Sequence, residues 1–325
     1  MARRRKIWIP VVCILATIII STLIIYFFGA FFVDFNNLSK KEFLMPGLDT
    51  SFVPQGLDYN EKHSKFLVSG YMANGDGSRI YIVDGNTYNC EKYVTVELDE
   101  ELACDHFGGI TSYQNTIWVT GTNSVFRINM VDVLNTINGH SVEALDEFLI
   151  PNNTDFLTVY NNKLVVGEFY RQKSFETDPS HAVKTQNGTN RALGFVYNIN
   201  EHNKYGVNST TPEYAISLPD IVQGMCLNKD GNIVLSTSYS IFDSHLYIHK
   251  NILESNNYTT IKIADQSIKT YILDNTTLLD NITCPAMTEE VALVNDRVFV
   301  GFENASSKYK LVNRVRSKYI YSLGI

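Results

Sequence analysis

The sequence has few of the features by which enzymes and nucleic-acid-binding proteins are recognised. It contains no G-x-S-x-G, no H-E-x-x-H, no glycine-rich phosphate loop and no C-x-x-C pair, so no motif indicates a catalytic class or a zinc site. Lysine and arginine number 27 against 34 aspartate and glutamate, a net charge of −7, which excludes a broad nucleic-acid-binding surface. Charged residues make up 19% of the chain and hydrophobic residues 45%, a balance that excludes a disordered protein.

Proline is also scarce, at 8 of 325 residues, whereas tyrosine (19) and phenylalanine (18) are abundant. Enrichment in aromatic and β-branched residues favours β-strands. The length is sufficient for one large domain or two ordinary ones.

The N-terminus carries a basic run at residues 3–6, followed by residues 7–32 without a charged side chain. This apolar run exceeds the roughly 20 residues needed to cross a bilayer core, and it is longer than the apolar stretch of a cleaved signal peptide. We therefore predict a cytoplasmic tail (1–6), a transmembrane signal-anchor helix (7–32) and a short polar stalk (33–40). The positive-inside rule places everything after Asp34 outside the cytoplasm, extracellular or lumenal. A long signal peptide that is removed is the alternative interpretation.

The rest of the chain repeats one unit, an apolar segment, a short polar turn and a second apolar strand. Each copy is followed by a third strand and in most cases by a fourth, which gives about four antiparallel strands in roughly 50–65 residues, the period of a β-propeller blade. The fourth strand of the fourth copy is assigned to residues 270–274. The five copies occupy residues 54–71, 107–122, 155–170, 222–239 and 289–304.

The two ends of the chain indicate that the ring is closed. The fifth copy reaches the C-terminus without a fourth strand, while residues 41–46 (KEFLMP) match residues 146–151 (DEFLIP), which precede the third copy. An N-terminal strand that completes the last blade leaves no open edge. We predict an all-β fold, a propeller of five four-stranded blades over residues 41–325. A sixth, degenerate blade within residues 240–282 and a β-sandwich are the alternatives.

In such a blade the start of the first strand and the end of the second lie at the same mouth of the central channel, where propellers usually bind ligands. We therefore expect a small polar ligand, a glycan or a protein to contact this face. Residues 171–191 form its longest loop, either a lid or a surface insertion. The candidate ligand-face residues are Gln55, Tyr71, His106, Glu168, Tyr170, Gln223, Tyr239, Glu289, Glu290 and Glu303.

Several of these candidates also have structural interpretations. His106 suits a general base or a metal ligand, or a hydrogen bond between blades. Glu168 could ligate Ca²⁺, act as an acid or base, or pair with Arg171. Glu289 and Glu290 are adjacent, so only one can face the channel. Gln55 and Gln223 occupy matching places before glycine, which favours a role in blade packing.

Cysteine and asparagine residues outside the predicted membrane helix are candidates for disulfide bonds and glycosylation. Cys13 lies within that helix. Three disulfide pairings are open to Cys90, Cys104, Cys226 and Cys284, although Cys226 lies in an apolar strand and suits a buried thiol. Eight N-x-S/T sequons would accept glycans in a eukaryotic secretory pathway, or arise by chance in an asparagine-rich chain. They are at Asn37, Asn152, Asn187, Asn208, Asn257, Asn275, Asn281 and Asn304.

The segments PQGLDY…KFLVSGY and VQGMCL…GNIVLSTSY resemble units of the SMP-30/gluconolactonase and strictosidine-synthase-like propellers, and of uncharacterised secreted propellers. The resemblance covers most of residues 41–325. It implies a channel cation held by acidic and amide side chains, with Ca²⁺ as the candidate, and no other cofactor is indicated. The leading hypothesis is a membrane-anchored binding module that uses the channel face. The alternatives are a cation-dependent hydrolase (lactonase, esterase or glycosidase-like) and a structural scaffold of the envelope.

Overall fold

The computed structural model describes residues 2–27, 31–150, 153–186, 188–263 and 265–325. Five sheets surround a common axis, and the first strand of each sheet contacts the first strands of the two neighbouring sheets. The protein is therefore an all-β propeller of five blades, as the repeat predicts. Within residues 240–263 and 265–282 no sixth blade is formed, because the strands described there belong to blades 3 and 4.

Blades 1 and 2 follow the predicted four-stranded order, and short additional strands extend blade 1. Blade 1 comprises β2 (Phe52–Asn60), β3 (Lys65–Met72), β4 (Arg79–Asp84) and β5 (Cys90–Leu98), with β6 (Glu101–Leu102) and β10 (Ser141–Glu143) at its edge. Blade 2 comprises β7 (Ile110–Tyr113), β8 (Thr116–Thr120), β9 (Ser124–Asn129) and β11 (Asp146–Leu149). Helix α3 (Met130–Asn135) connects β9 to β10.

Blades 3 and 4 share the region in which the sequence shows no clear repeat. Blade 3 comprises β12 (Phe156–Tyr160), β13 (Lys163–Gly167), β16 (Ala192–Asn198) and β17 (Tyr214–Leu218), extended by β22 (Gln266–Ile272) and β21 (Thr259–Ile263). The hairpin of β14 (Val183–Thr185) and β15 (Gly188–Asn190) lies in the β13–β16 loop. Blade 4 comprises β18 (Val222–Leu227), β19 (Ile233–Thr237), β20 (Ser244–His249) and β23 (Leu278–Cys284).

The fourth strand of blade 4 is a correction to the sequence prediction. Residues 270–274 were assigned to it, but Thr270 and Ile272 belong to β22, which pairs in parallel with β17 of blade 3. The fourth strand is instead β23, antiparallel to β20. A short apolar segment can pair with the edge of either sheet. Strand β22 forms a hairpin with β21, and this hairpin lies at the edge of blade 3.

Blade 5 closes the ring with both ends of the chain. It comprises β24 (Thr288–Val294), β25 (Arg297–Phe302), β26 (Tyr319–Leu323) and β1 (Ser39–Leu44). Strand β1 pairs antiparallel with β26, with Phe43 opposite Ile320 and Leu44 opposite Tyr319. The closure predicted from residues 41–46 is observed.

The turns between first and second strands follow from their sequences. The β12–β13 turn is Asn161–Asn162 with φ of 46° and 58°, and the β24–β25 turn is Asn295–Asp296 with φ of 47° and 62°. Two consecutive left-handed residues form the hairpin turn whose twist matches that of the strands, and Asn and Asp tolerate this conformation. These turns, and the connections from third to fourth strands, lie on the face opposite the channel mouth.

The inner strands approach one another closely. A Cβ atom added to Gly109 would lie 2.5 Å from the backbone N of Leu157, and one added to Gly224 would lie 2.6 Å from the Cα of Glu290. Glycine at these places therefore lets neighbouring blades meet at the axis. The apolar faces of adjacent blades pack outside this contact, for example Ile80 of blade 1 with Ile117 of blade 2.

The N-terminal region differs from the predicted stalk. Residues 33–40 form helix α2 (Val33–Leu38) and the start of β1. Phe35 is buried with its ring 5.8 Å from that of Phe302 and 5.3 Å from that of Tyr321. These ring contacts pack the segment against blade 5.

Helix α1 (Ala2–Phe27) precedes this region. Within the residues described, no helix meets the length and apolarity required of a membrane span. The anchor predicted for residues 7–32 remains a prediction.

The candidate modification sites differ in their exposure to solvent. All five cysteines lie in described residues and are free thiols, and Cys226 and Cys284 are buried. Asn304 is fully buried, its amide donates to Ala286 O (2.7 Å), and it cannot carry a glycan in this fold. Asn152 and Asn187 lie outside the described residues. The exposed sequons are Asn37, Asn208, Asn257, Asn275 and Asn281.

Candidate functional site

Glu290 occupies the channel axis. Its Oε2 accepts hydrogen bonds from the backbone N–H groups of Leu57 and Ile110, and its Oε1 accepts one from Leu157, each at 2.9 Å. These donors belong to β2, β7 and β12, so one side chain of blade 5 is bonded to blades 1, 2 and 3. Burial raises the pKa of Glu290 well above its usual value, and the three N–H groups oppose that shift. The oxygens of Glu290 are therefore already hydrogen-bonded to the protein's own backbone.

A cavity of about 540 Å³ opens at the channel mouth. Its wall comes from the starts of first strands, the ends of second strands and the loops beyond them. The volume lies within the range typical of small-molecule sites. The residues that line it include aromatic rings, side-chain amides, hydroxyls and two carboxyl groups: Gln55, His106, Thr122, Asn123, Asn153, Thr154, Asp155, Phe169, Phe175, Gln223, Ser238, Tyr239, Ser240, Met287, Glu303 and Tyr309.

Glu303 is the carboxyl group contributed by blade 5. Gln55 Nε2 donates to Glu303 Oε2 at 2.8 Å and to the carbonyl of Pro54 at 2.9 Å, which fixes the orientation of the amide. Burial raises the pKa of Glu303 to about 7. Glu289 is buried, and no hydrogen-bond partner of its Oε1 is found among the described residues. Burial raises the pKa of Glu289, and the charges of Glu303 and Glu290 add to the shift.

Asp155 is the carboxyl group contributed by blade 3. Its Oδ2 accepts a hydrogen bond from the backbone N–H of Phe169 at 2.7 Å. Burial raises the pKa of Asp155 to about 7, and the nearby charge of Glu168 adds to the shift. Both cavity carboxyl groups therefore change protonation state close to neutral pH.

His106 lies at the rim and is stacked on Tyr71, with ring centroids 4.4 Å apart. Lys308 Nζ donates to the Tyr71 hydroxyl at 2.6 Å. The surrounding protein and the charge of Lys308 lower the pKa of His106 to about 4. The imidazole is thus neutral at pH 7 although one edge remains accessible from the cavity. It can exchange hydrogen bonds with a ligand without adding charge.

The loop of residues 171–191 forms one side of the cavity through Phe175. The guanidinium of Arg171 lies 3.7 Å from the ring centroid of Tyr239, which also lines the cavity. The described part of the loop contains a 3₁₀ turn at Pro179–His181 and the β14–β15 hairpin. The loop therefore contributes one aromatic side chain, Phe175, to the wall of the cavity.

Glu168 anchors this loop. Both of its oxygens lie 3.0 Å from His181 Nδ1, and Oε2 also accepts from the backbone N–H of Leu193 at 2.9 Å. The side chains of Glu168 and His181 are almost fully buried. Burial raises the pKa of Glu168, and His181 opposes that shift. Its partner is His181 and not the expected Arg171.

The ten sequence candidates thus separate by location. Gln55, His106, Gln223, Tyr239 and Glu303 line the cavity, and Tyr71 packs behind His106. Glu168 and Tyr170 are buried where the long loop begins, and Glu289 and Glu290 are buried in β24. Whether any of them contacts a ligand stays a prediction.

Sequence reasoning missed several lining residues. Asp155 is the first residue of the third repeat copy, so its place at the mouth was available from the alignment of the copies. Phe169 lies between the two residues that were selected, Glu168 and Tyr170. Phe175 and Tyr309 come from long loops whose path no repeat predicts.

The donor set does not fit a channel cation. Within the described part of the chain, no group of three or more His, Cys, Asp or Glu side chains is placed to hold a metal ion. The oxygens of Glu290 face backbone N–H groups, which repel a cation.

No family model matches this chain, and no curated protein matches it significantly. The resemblance to the SMP-30/gluconolactonase group therefore remains a prediction. This protein is a five-bladed propeller whose axis is filled by Glu290 and whose mouth cavity is a candidate ligand site.

Solved structures of other proteins are similar at low identity. The PQQ-bound aldose sugar dehydrogenase of Streptomyces coelicolor is 11% identical with a TM-score of 0.45 over 88% of this chain and 97% of its own. The glutaminyl cyclase of Myxococcus xanthus is 11% identical with a TM-score of 0.44 over 81% and 91%. The hydrazine synthase of Kuenenia stuttgartiensis is 10% identical with a TM-score of 0.40, and the match covers 79% of this chain but 58% of that one.

Proposed function

We propose that this protein is a membrane-anchored propeller that binds a small polar, carbohydrate-like ligand in its mouth cavity. The observation that carries the proposal is the composition of the cavity wall. Aromatic side chains such as Phe169 and Tyr239 supply apolar faces, while Gln55, Gln223 and Glu303 supply directional polar groups. Ligand sites combine apolar walls with a few placed polar groups in this way.

The protonation states suit a ligand rich in hydroxyl groups. The pKa values of Asp155 and Glu303 are both raised to about 7 by burial. Each carboxyl group can therefore donate or accept a hydrogen bond near neutral pH. The amides of Gln55 and Gln223 also offer both a donor and an acceptor. A hydroxyl group, which both donates and accepts, matches such partners better than a charged group does.

The anchor is part of the proposal and is supported by residues 7–32. The side chains described in α1 from Pro10 to Leu23 are all exposed, and most of them are apolar. A helix that is apolar on all sides needs an apolar environment. Resistance of the full chain to alkaline carbonate extraction, with the propeller on the outer side by protease accessibility, is the expected result. Release by carbonate would contradict the anchor.

Binding is tested with the detergent-solubilised full chain and a panel of mono- and disaccharides. We expect at least one sugar to raise the melting temperature and to give saturable heat in calorimetry. Tyr239→Ala and Gln223→Ala should remove the effect, whereas Tyr258→Ala, on the outer edge of blade 3, should not. A panel without any shift, or equal loss in Tyr258→Ala, would contradict carbohydrate binding in the cavity.

A hydrolase is the second candidate, and the shifted pKa values of Asp155 and Glu303 favour it. Two carboxyl groups poised near neutral pH in one cavity are the equipment for general acid and base catalysis. Release of nitrophenol from glycoside and ester substrates would test this candidate, with Asp155→Asn and Glu303→Gln as variants. Turnover that both variants retain, or no turnover of any substrate, would exclude it and leave the binding function. No specific observation favours the envelope scaffold.

A further inference from the structure

The mouth face carries exposed apolar side chains on two loops. The β25–β26 loop (303–318) presents Leu311, which is 82% exposed, and Val312, which is 59% exposed. The β19–β20 loop (238–243) presents Ile241 and Phe242, which are 54% and 66% exposed. The same two loops contribute Tyr309 and Tyr239 to the cavity. The apolar side chains therefore surround one side of its opening.

The β25–β26 loop is also strongly basic. Residues 304–318 contain five Lys or Arg and no Asp or Glu, although the whole chain has a net charge of −7. Asp243 of the neighbouring loop pairs with one of them, Arg314. Basic residues interspersed with exposed Leu, Val, Ile and Phe are the composition of surfaces that insert shallowly at an anionic bilayer.

The N-terminal segment reaches the propeller at this same face. The guanidinium carbon of Arg314, in the β25–β26 loop, lies 5.1 Å from the ring centroid of Phe32. Phe31 and Val33, on either side, are 56% and 57% exposed. Phe27, the last residue of α1, is only four residues before Phe31, and four extended residues span at most roughly 14 Å. A bilayer that holds the anchor must therefore lie close to the mouth.

We propose that the side of the mouth formed by the β25–β26 and β19–β20 loops lies against the bilayer, with these two loops in contact with anionic lipid headgroups. The inference rests on the membrane anchor proposed above and not on the identity of the cavity ligand. The chain's own membrane is the partner because the apolar patch, the five basic residues of the β25–β26 loop and the point of chain entry coincide on this side of the mouth. In this position the cavity opens at the level of the headgroups, so its ligand is the polar head of a membrane lipid or reaches it along the bilayer surface.

The test places a fluorophore on each face of the full chain in lipid vesicles. Cys13, Cys90 and Cys104 are replaced by Ser, and a single environment-sensitive label is attached after Leu311→Cys or, as the opposite-face control, after Ile137→Cys. Vesicles of phosphatidylcholine with or without phosphatidylglycerol carry a lipid spin-labelled near its headgroup. We expect quenching and a blue shift at position 311, stronger with phosphatidylglycerol, and neither effect at position 137.

Charge reversal supplies the matched variants. Lys310→Glu with Arg316→Glu should reduce the quenching at position 311. Lys229→Glu, on the opposite face, should leave it unchanged. An interfacial basic residue contributes about 1 kcal/mol, so each charge removed lowers the docked-to-undocked ratio roughly fivefold.

Carbonate extraction of the same samples separates the two proposals. A protein that resists carbonate but shows no quenching at position 311 keeps its anchor and refutes the docking surface. If carbonate releases the protein and the label at position 311 is not quenched, both the anchor and the docking surface are refuted. A spectral shift at position 311 that follows the protein-to-lipid ratio and not the spin-labelled lipid would assign the surface to a second copy of the chain, which also overturns the proposal.

Discussion

Glu290→Gln tests the central structural claim, that one carboxyl group holds the inner strands together. The Gln oxygen can replace Oε2 and keep the bonds from Leu57 and Ile110. The Gln NH₂ group must then face the N–H of Leu157, which at present donates to Oε1. Two buried donors lose a partner, and each costs roughly 1–3 kcal/mol. We expect the free energy of unfolding to fall by roughly 2–6 kcal/mol.

The measurement is equilibrium urea unfolding of the solubilised full chain, followed by circular dichroism. Glu289→Gln is the matched control, because Glu289 is equally buried, but no backbone N–H donor to it is found among the described residues. Its free energy of unfolding should fall by less than that of Glu290→Gln, because no backbone N–H donor in the described part of the chain loses its acceptor. Glu290→Ala should destabilise the fold more than Glu290→Gln does, because three orphaned N–H groups cost roughly 3–9 kcal/mol against a typical total of 5–15 kcal/mol. Equal effects of the two Gln variants, or none at Glu290, would refute the pinning role.

Three further predictions concern the site and the closure of the ring. Burial raises the pKa of Glu303 in the folded protein from 4.5 to about 7, so this carboxyl group makes the protein less stable as pH rises between these values. Glu303→Gln should reduce the decline of the urea midpoint with pH. An unchanged dependence of the urea midpoint on pH would contradict the raised pKa. His181→Ala removes the buried partner of Glu168 and should expose the 171–191 loop to trypsin sooner than it exposes the rest of the chain; cleavage as slow as in the wild type would mean that the pair does not hold the loop. Phe43→Ala, in the closing strand, should cost about 3–5 kcal/mol in the free energy of unfolding, whereas a change below 1 kcal/mol would mean that the ring does not depend on this strand.

The repeat and the hairpin turns were sufficient to predict the ring. Each blade is built from local hairpins, so the alternation of apolar strands with turns such as Asn161–Asn162 is written in contiguous sequence. The closure was also predictable, because residues 41–46 match residues 146–151 and supply the strand that the last blade lacks. The stacking of first-strand starts and second-strand ends at one mouth follows from the same regularity, which is why half of the candidate residues line the cavity.

The repeat could not predict contacts between residues far apart in the chain. The hairpin of β21 and β22 joins blade 3, because edge pairing depends on which sheet edge is free and near. His181, ten residues inside a long loop, became the partner of Glu168 because the loop folds back over blade 3. Asp155 acquires its raised pKa from the burial that the neighbouring blades impose.

The sequence alone thus determined the all-β class, the number of blades and the closing strand, because these depend on short-range patterns that recur along the chain. Only the tertiary structure decided what each polar residue does. Glu290 and Glu303 are the same residue type in the same blade, yet one receives three backbone N–H groups at the axis and the other faces a cavity. That difference arises from donors on other blades, whose positions exist only once the ring has closed.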